Sequence, residues 1–487
     1  MNHRVRLKAL FTSMLGLLAL WFPAPAVRAA TKPPDYVVVA SRKTLGDDSW
    51  RRVVDTLQKK HEGKVIFYDQ SVDEAHSKLR ELFPRYVCFV CQPSEATREF
   101  VARVHRLTRT FNEDPYPDCF WGILTGYDAA NALRIATNSE MLTVHKVASG
   151  TEVALDMCEE GIWYCELKAG KWVQKKKGGK PEQSQGPTDS TEALAKTLTD
   201  YRADLFVTSG HATERDWQIG YSYRNGSFRC ENGTLYGLDT KKQKIPIVSP
   251  NPKVYLPIGN CLMGHIDDPN AMALAFMNSG GVNQMIGYTV TSWYGYAGWG
   301  CLDYFVEQPG RYTFTEAFFA NQVALINRLQ TCFPDLVSAE LDTNFRPKGS
   351  VTVSDAAREA RLKAQDAVGL LYDRDTVAFY GDPAWIARMA DQPKSFEQKL
   401  TCEGEKYTLE IRPNRGTDSF KPVNTNGSQR GGRPFIAWLP HRVSEAKVVE
   451  GVELKPLVAA NFILVPNPGV CDPAKSYRVV FTARQVE

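Results

Sequence analysis

The stretch from Asp35 to Asp69, DYVVVASRKTLGDDSWRRVVDTLQKKHEGKVIFYD, contains two apolar runs separated by an amphipathic run. VVVA and VIFY are rich in β-branched and aromatic residues, which is typical of buried strands, whereas the apolar residues of SWRRVVDTLQKKH recur at helical spacing. Two strands joined through a helix form a parallel β-α-β unit, because parallel pairing needs a long crossover connection. The stretch therefore predicts an α/β fold.

The same alternation continues along most of the chain. Runs such as RYVCFV and CFWGILTG each precede a helix-like run, and they extend a first α/β subdomain over residues 32–145. A second α/β subdomain is predicted over residues 146–393. Its strands are predicted at Leu205–Val207, Lys253–Gly259 and Gly281–Tyr288.

The pattern changes near Lys394. Short alternating runs, KYTLEIRP, FIAWLPH, FILVPNP and YRVVFTAR, are separated there by Gly, Pro and Asn, which is typical of a β-sandwich. We predict such a domain over residues 394–487, with Cys402 and Cys471 as candidates for a disulfide. The predicted fold class is α/β, with tandem parallel-sheet subdomains followed by a small β-sandwich.

Three local patterns carry narrower predictions. Residues 175–190 are rich in Gly, Pro and polar side chains without periodicity, and are predicted to form a mobile loop. Val353–Leu371 are predicted to form one helix. Cys88 and Cys91 lie three apart in a strand, where their side chains point to opposite faces, so we expect buried thiols rather than a redox pair.

The first 29 residues have the features of a secretory signal peptide. A basic start precedes an apolar run over residues 9–22, and Val27-Arg28-Ala29 matches a small-x-small cleavage site. A signal anchor is the alternative, but the run is short for a bilayer span and leads into prolines. We therefore predict a protein that is secreted or periplasmic.

Charge and cysteine content limit the range of partners. The net charge of +4 comes entirely from four basic residues in the first 29, so the mature chain is formally neutral. That balance does not favour nucleic acid or an anionic membrane as a partner, and no later segment is apolar enough to span a bilayer. Eleven cysteines permit disulfides after export, but the odd number implies at least one free thiol or an intermolecular bond.

Two predicted strands end in reactive residues. LFVTSGH ends at His211 and VYLPIGNC ends at Cys261, 50 positions later. Neighbouring parallel strands bring their carboxyl ends to one edge of a sheet, where ligand sites form. A thiol needs an adjacent base or a lowered pKa to act as a nucleophile at neutral pH, so the two residues suit a Cys-His dyad.

Small residues surround both positions. Gly210, Gly259 and Gly264 allow the backbone to approach a substrate closely. The backbone amides of Ala212 and Cys261 are the predicted donors to an oxyanion.

Four sequence blocks make the resemblance specific: TSGHA, GNCLMG, YTVTSWYGYAGWG and FYGDPAW. They resemble the gingipain family of caspase-like cysteine peptidases over most of the mature chain. The resemblance implies caspase-like tandem subdomains and an immunoglobulin-like sandwich. It also implies His211 as general base and acid, Cys261 as nucleophile and Trp293 as a wall of the substrate pocket. Ala212 departs from the pattern, because the family usually has Gly there.

The family also carries acidic residues upstream of its histidine. One orients the imidazole and one pairs with a basic substrate side chain. Glu152, Asp156, Glu159 and Glu160 are the candidates, and we take Asp156 as the pocket acid. The resemblance alone implies structural calcium, since no acidic loop has a calcium-binding spacing, and we expect no other cofactor.

Other interpretations of the same residues remain open. His265 is a rival base, and His211, Cys261, His265 and Asp267 include zinc-ligand types without a zinc-site spacing. A secreted binding or adhesion protein on an inactive caspase-like scaffold is the alternative function. The favoured prediction is a secreted cysteine endopeptidase that acts on proteins or peptides through an acyl-enzyme; the sequence does not indicate its oligomeric state.

Overall fold

The computed structural model describes residues 36–292, 295–341, 351–424 and 432–486. The predicted signal peptide, residues 1–29, and the predicted pocket residue Trp293 lie outside these ranges. No helix within them is long and apolar enough to cross a lipid bilayer.

Strands and helices alternate in the first part of the chain. Its strands are β1 (Tyr36–Ser41), β2 (Lys64–Tyr68), β3 (Tyr86–Val90), β4 (Phe120–Leu124), β5 (Leu142–Val144), β6 (Lys146–Ser149), β7 (Glu160–Tyr164), β8 (Lys171–Lys175), β9 (Glu182–Gln185), β10 (Leu205–Thr208), β11 (Asp216–Gln218), β12 (Ser227–Glu231), β13 (Thr234–Leu238), β14 (Lys244–Ile247), β15 (Lys253–Pro257), β16 (Val282–Tyr288), β17 (Val377–Tyr380) and β18 (Ala387–Met389). Its helices are α1 (Arg42–Gly46), α2 (Asp48–His61), α3 (His76–Leu82), α4 (Arg98–Leu107), α5 (Ala129–Thr137), α6 (Thr191–Thr199), α7 (Met272–Asn278), α8 (Tyr296–Phe305), α9 (Phe314–Cys332), α10 (Asp355–Glu359) and α11 (Ala364–Asp375).

Within the described residues one twelve-stranded sheet runs through the α/β part, in the order β2-β1-β3-β4-β17-β16-β15-β10-β6-β7-β8-β9. The strands β2, β1, β3 and β4 are mutually parallel, and so are β16, β15, β10, β6 and β7. The predicted α/β class is therefore confirmed, and the two parallel series form one continuous sheet.

The strand β17 joins the two series. It pairs parallel to β4 and antiparallel to β16, so the second series runs opposite to the first. Just after β17, the buried carboxylate of Asp382 accepts hydrogen bonds from Tyr36 Oη (2.9 Å), Lys60 Nζ (3.0 Å) and His61 Nε2 (2.8 Å). Its backbone carbonyl accepts from Gln284 Nε2 of β16 at 2.7 Å. Asp382 therefore ties elements of both series together.

Several local predictions are wrong. Residues 175–190 include β9, which pairs antiparallel with β8 at the sheet edge. Val353–Leu371 are not one helix, because α10 ends at Glu359 and Arg361 adopts a positive φ of 57° before α11 begins. The four-stranded antiparallel sheet β11-β12-β13-β14, inserted between β10 and β15, was not predicted at all.

Two antiparallel sheets form the C-terminal part. One has the order β19-β20-β25-β22 and the other β21-β24-β23, and they share an apolar core around Tyr407, Phe435 and Phe481. The strands are β19 (Phe396–Glu403), β20 (Lys406–Pro413), β21 (Phe435–Trp438), β22 (Val443–Glu450), β23 (Leu457–Val458), β24 (Phe462–Val465) and β25 (Tyr477–Gln485).

The predicted disulfide in this part does not form. Cys402 is exposed near the end of β19, whereas Cys471 is buried in the sandwich core, and both are free thiols. The sandwich packs on the α/β part through aromatic contacts, such as the edge-to-face pair of Phe120 and Trp438 at 4.7 Å. The domain boundaries inferred from sequence stay predictions.

Candidate active site

His211 and Cys261 follow the ends of neighbouring strands. β10 and β15 pair in parallel, with Thr208 opposite Pro257, and the Ile258 amide continues the ladder to the Thr208 carbonyl at 2.9 Å. His211 comes three residues after Thr208, and Cys261 comes four residues after Pro257. The structure therefore brings both predicted residues to the carboxyl edge of the same sheet.

The buried side chain of Asn260 joins the two loops directly. Its Oδ1 accepts from Thr208 Oγ1 at 2.7 Å, and its Nδ2 donates to the Gly210 carbonyl at 3.0 Å. Thr208 Oγ1 also lies 2.9 Å from Tyr255 Oη. Asn260 thus fixes the residue before His211 relative to the residue before Cys261. Sequence reasoning missed this role, although the position of Asn260 inside GNC was a signal.

Asn260→Ala should reduce both stability and any activity of the site. The variant leaves the Gly210 carbonyl without its donor, and an unsatisfied buried group costs about 1–3 kcal/mol. Asn251→Ala is the matched control, because Asn251 Nδ2 donates to the Ala203 carbonyl at 3.3 Å at the other edge of the same strand pair. Urea unfolding should show both variants to be destabilised, whereas peptide cleavage should fall in Asn260→Ala alone. Equal activity in the two variants would contradict the role given to Asn260.

Glycines shape the two turns in different ways. Gly210 and Gly259 have positive φ values of 92° and 145°, which side chains other than glycine rarely adopt. Gly264 does not have a positive φ; a Cβ there would lie 2.2 Å from the carbonyl oxygen of Gly287 on β16. The expectation that Gly264 approaches a substrate is therefore replaced by a packing role.

The thiol of Cys261 is half-buried and protonated in its resting state. Its Sγ donates to the Ser292 carbonyl at 3.5 Å, and burial raises the pKa of the thiol above its ordinary value of 9.0. The thiol does not hydrogen-bond to His211 in this arrangement. Any nucleophilic reaction of Cys261 therefore requires a base to remove the proton.

His211 is exposed, and its imidazole stacks on Tyr221. The ring centroids are 4.9 Å apart with an interplanar angle of 24°. Among the described residues, the imidazole of His211 makes no hydrogen bond or ion pair. Within the part of the chain that the structure describes, Tyr221 is thus the side chain that limits the orientation of the ring, and no local pattern in the sequence indicated this contact.

Residues 211–218 form a hairpin in which the backbone amide of Ala212 points away from the opposing strand. The His211 carbonyl accepts from Gln218 N at 2.9 Å and Thr213 N donates to Asp216 O at 2.8 Å, so Ala212 and Trp217 face each other without bonding. Ala212 is not among the residues with positive φ, so alanine fits without strain. Alanine at position 212, where the family usually has Gly, therefore requires no strained backbone conformation.

Glu166 is a half-buried acid whose carboxylate lies beside the turn before His211, and sequence reasoning missed it. It follows β7 at the same edge, and its Oε1 accepts from Thr151 Oγ1 at 2.8 Å. Its Oε2 is buried beside Ser209 without a well-formed hydrogen bond and lies 3.6 Å from where a Cβ of Gly210 would stand. Burial raises the pKa of Glu166, and the hydroxyls of Thr151 and Ser209 only partly offset it.

Asp156, Glu159 and Glu160 are not brought to this edge. Glu160 begins β7 opposite Lys146, the first residue of β6, so it lies at the amino end of the strands. Glu159 pairs with His145 and Lys177, and Asp156 is exposed in the short 3-10 helix Leu155–Met157 that leads into β7. Asp156 is therefore replaced as the candidate pocket acid.

Glu152 is the one acid of the predicted four that lies near the carboxyl edge. It follows Ser149, Gly150 and Thr151, which extend beyond β6. The Gly150 amide donates to the Val207 carbonyl of β10 at 2.9 Å, so this segment runs beside the strand that leads to His211.

The rival residues have other partners. Arg98 Nη2 lies within 3.1 Å of both ring nitrogens of His265, and burial together with the Arg98 charge lowers the pKa of that imidazole. Asp267 forms a bidentate pair with Arg215 at 2.7 and 2.8 Å. In the described part of the chain no group of three or more His, Cys, Asp or Glu side chains is arranged to hold a metal ion.

Taken together, these elements define an α/β protein that brings a histidine and a cysteine to one edge of its sheet. The chain is similar to the crystal structure of the Arg-specific cysteine proteinase gingipain R, with 10% identity, a TM-score of 0.43, and coverage of 94% of this chain and 99% of that one. It is also similar to the complex of the pro- and mature domains of RgpB from Porphyromonas gingivalis, with 9% identity, a TM-score of 0.42, and coverage of 93% and 100%. No family model and no curated protein match the sequence.

Proposed function

We propose that the protein is a secreted cysteine endopeptidase in which Cys261 attacks the scissile carbonyl and His211 transfers the proton. The observation that carries the proposal is the shared strand edge, with Asn260 bonded to both loops. His211 is exposed and makes no competing hydrogen bond among the described residues, so it is free to accept the thiol proton when substrate is bound.

The chemistry proceeds through a covalent intermediate. His211 takes the Cys261 proton as sulfur bonds to the carbonyl carbon, and the amides of Ala212 and Cys261 stabilise the oxyanion. His211 then protonates the leaving amine as the carbon–nitrogen bond breaks. Water, deprotonated by His211, hydrolyses the thioester and restores the thiol.

Labelling with an irreversible thiol-directed peptide reagent tests the nucleophile. The wild-type protein should be labelled at Cys261 and cleave peptides, while Cys261→Ala should do neither. Cys230→Ala is the matched control, because Cys230 is also a half-buried thiol, and its Sγ donates a hydrogen bond to the Asn270 carbonyl. Equal labelling of wild type and Cys261→Ala would refute the assignment. A protein that binds peptides without hydrolysing them would instead support the inactive-scaffold alternative.

Glu166 is proposed to receive a basic side chain of the substrate, at the residue before the cleaved bond. Its buried Oε2 lacks a well-formed hydrogen bond, which is costly, and a bound ammonium or guanidinium would supply a charged donor. Trp293 is proposed as a wall of the same pocket, as the family resemblance implies.

Glu166→Gln should reduce kcat/KM for substrates with Lys or Arg before the cleaved bond by about 10²-fold, because removing one partner of a desolvated charge pair costs about 2–5 kcal/mol. The effect also has a pH signature. Because burial raises the pKa of Glu166, wild-type kcat/KM should fall as the pH drops through that raised pKa, while the Gln variant should lack this dependence. Glu159→Gln, at the amino end of the strands, is the control. If the kcat/KM of the wild type did not change as the pH drops through the raised pKa of Glu166, the assignment of Glu166 as the pocket acid would be contradicted.

A further inference from the structure

A cavity of about 510 Å³ opens beside His211, and we name it the polar cleft. It lies between the loop that carries His211 and the sheet β11-β12-β13-β14. The charged side chains that line it are Asp216, Arg224, Arg229, Asp239 and Lys242. A peptide held across His211 would therefore pass next to this cleft.

The two carboxylates of the polar cleft are already engaged. Asp216 Oδ1 accepts from Thr213 Oγ1 at 3.1 Å, and its Oδ2 lies 3.7 Å from the Arg229 guanidinium. Asp239 Oδ1 accepts the amides of Lys241 and Gln243 at 2.9 and 2.7 Å. These contacts hold the loops in place and leave little capacity for binding a cation.

The cations Arg224 and Lys242 are in a different situation. Both are exposed, and within the described ranges neither has an ion-pair partner. Together with Arg229, they outnumber the two carboxylates and give the polar cleft an excess of positive charge. The cleft is therefore suited to a ligand that carries a carboxylate.

The backbone around both cations is anchored. Tyr223 Oη donates to the Cys165 carbonyl at 2.8 Å, and Asn225 Oδ1 accepts from Ser190 N at 3.1 Å, so both neighbours of Arg224 are fixed. Lys242 has a φ of 67° in the tight turn between β13 and β14, and its amide donates to the Asp239 carbonyl at 3.0 Å. A carboxylate ligand would therefore meet cations on a preformed frame.

We propose that the polar cleft is a substrate subsite for an acidic residue, Asp or Glu, within a few positions of the cleaved bond. This inference rests on the proposed peptidase function and extends it. It adds a preference for an acidic substrate residue to the preference for a basic residue proposed at Glu166. The free carboxylate at the end of a peptide has the same chemistry, so the experiment separates the two sources.

The experiment uses the full chain, a series of peptides blocked at both ends, and a parallel series of the same peptides with a free carboxyl terminus. The peptides come in pairs that share a fixed cleavage site. Within a pair, one peptide carries Asp and the other carries Asn, its neutral match, at a single position before or after that site. Exposed ion pairs are individually weak, so we expect the Asp peptide to exceed the Asn peptide in kcat/KM by about fivefold at one position. The ratio should fall towards one in high salt.

Charge variants test which residues create the preference. In the double variant Arg224→Gln/Lys242→Gln the Asp to Asn ratio should fall to about one, and Arg224→Glu should favour Lys at the same position. Lys241→Gln is the matched control, because Lys241 is the exposed neighbour of Lys242 and does not line the polar cleft. A ratio of one at every position in the wild type, or a ratio that survives the double variant, would overturn the proposal. A preference seen only with peptides that have a free C-terminus would replace a side-chain subsite with a terminal one.

A binding measurement separates this inference from the proposed catalysis. The same blocked peptides, carrying a fluorophore, are titrated with Cys261→Ala and followed by anisotropy. Tighter binding of the Asp peptide, lost in the triple variant with Arg224→Gln/Lys242→Gln, supports the subsite even if the wild type cleaves nothing. Equal binding of Asp and Asn peptides, with no preference in cleavage, refutes the subsite whether or not hydrolysis occurs.

Discussion

Cys261→Ala and His211→Ala should each reduce peptide hydrolysis by about 10³-fold or more, and the double variant should lose little beyond either single variant. The reason is that the two residues act in one step. Burial raises the pKa of the Cys261 thiol, so without an imidazole the thiolate is scarce at neutral pH. Without the thiol, the imidazole has no nucleophile to activate.

The pH dependence of alkylation separates the two residues. In His211→Ala the reaction of Cys261 with iodoacetamide should still occur and should rise about tenfold per pH unit up to the raised pKa, since only the thiolate reacts. His265→Ala is the control for hydrolysis, because His265 lies against Arg98. Full loss of hydrolysis in His265→Ala with activity retained in His211→Ala would reverse the assignment of the base.

Asp382→Asn should lower the free energy of unfolding by about 3–5 kcal/mol at pH 7, because it leaves the buried partners of a charged network without their anion. Burial opposes the ionised form of Asp382, but the His61 hydrogen bond and the Lys60 charge outweigh it and hold the pKa well below its usual range. The variant removes that anion at the junction of the two strand series. Urea unfolding followed by circular dichroism measures the loss.

The sign of the pH effect follows from the lowered pKa. Asp382 contributes its stabilisation fully above the pKa of an unfolded aspartate, and this contribution is lost as the pH falls through the lowered folded-state pKa. The difference between wild type and variant should therefore be largest near neutral pH and shrink in acid. Asp391→Asn, an exposed aspartate with a nearby lysine, should change stability by less than about 0.5 kcal/mol at any pH. An Asp382→Asn loss as small as that of the control would contradict the structural role.

The repeated strand and helix patterns were readable from sequence because each is local. The alternation around β1, α2 and β2 reports periodicity within a few residues, and so do the apolar runs at β10, β15 and β16. Two strand ends with reactive residues then predicted the shared edge of His211 and Cys261, and the register of β10 with β15 agrees. The sheet β11-β12-β13-β14 was missed, because its short strands have weak sequence patterns and depend on pairing with one another and on packing against α6 and α7.

The sequence by itself determined the α/β class, the order of most elements and the two residues proposed for catalysis, since these depend on residue type and spacing. Tertiary structure alone decided which acid lies near His211. Glu166 reaches the edge because β7 runs parallel to β6 and ends there, whereas Asp156 precedes that strand and stays away from the edge. Tertiary structure also decided the hydrogen bonds of Asn260 to both loops, the stacking of Tyr221 on His211, and the lack of ion-pair partners for Arg224 and Lys242 among the described residues. Each depends on contacts between segments distant in the chain, and such contacts leave no local periodicity in the sequence.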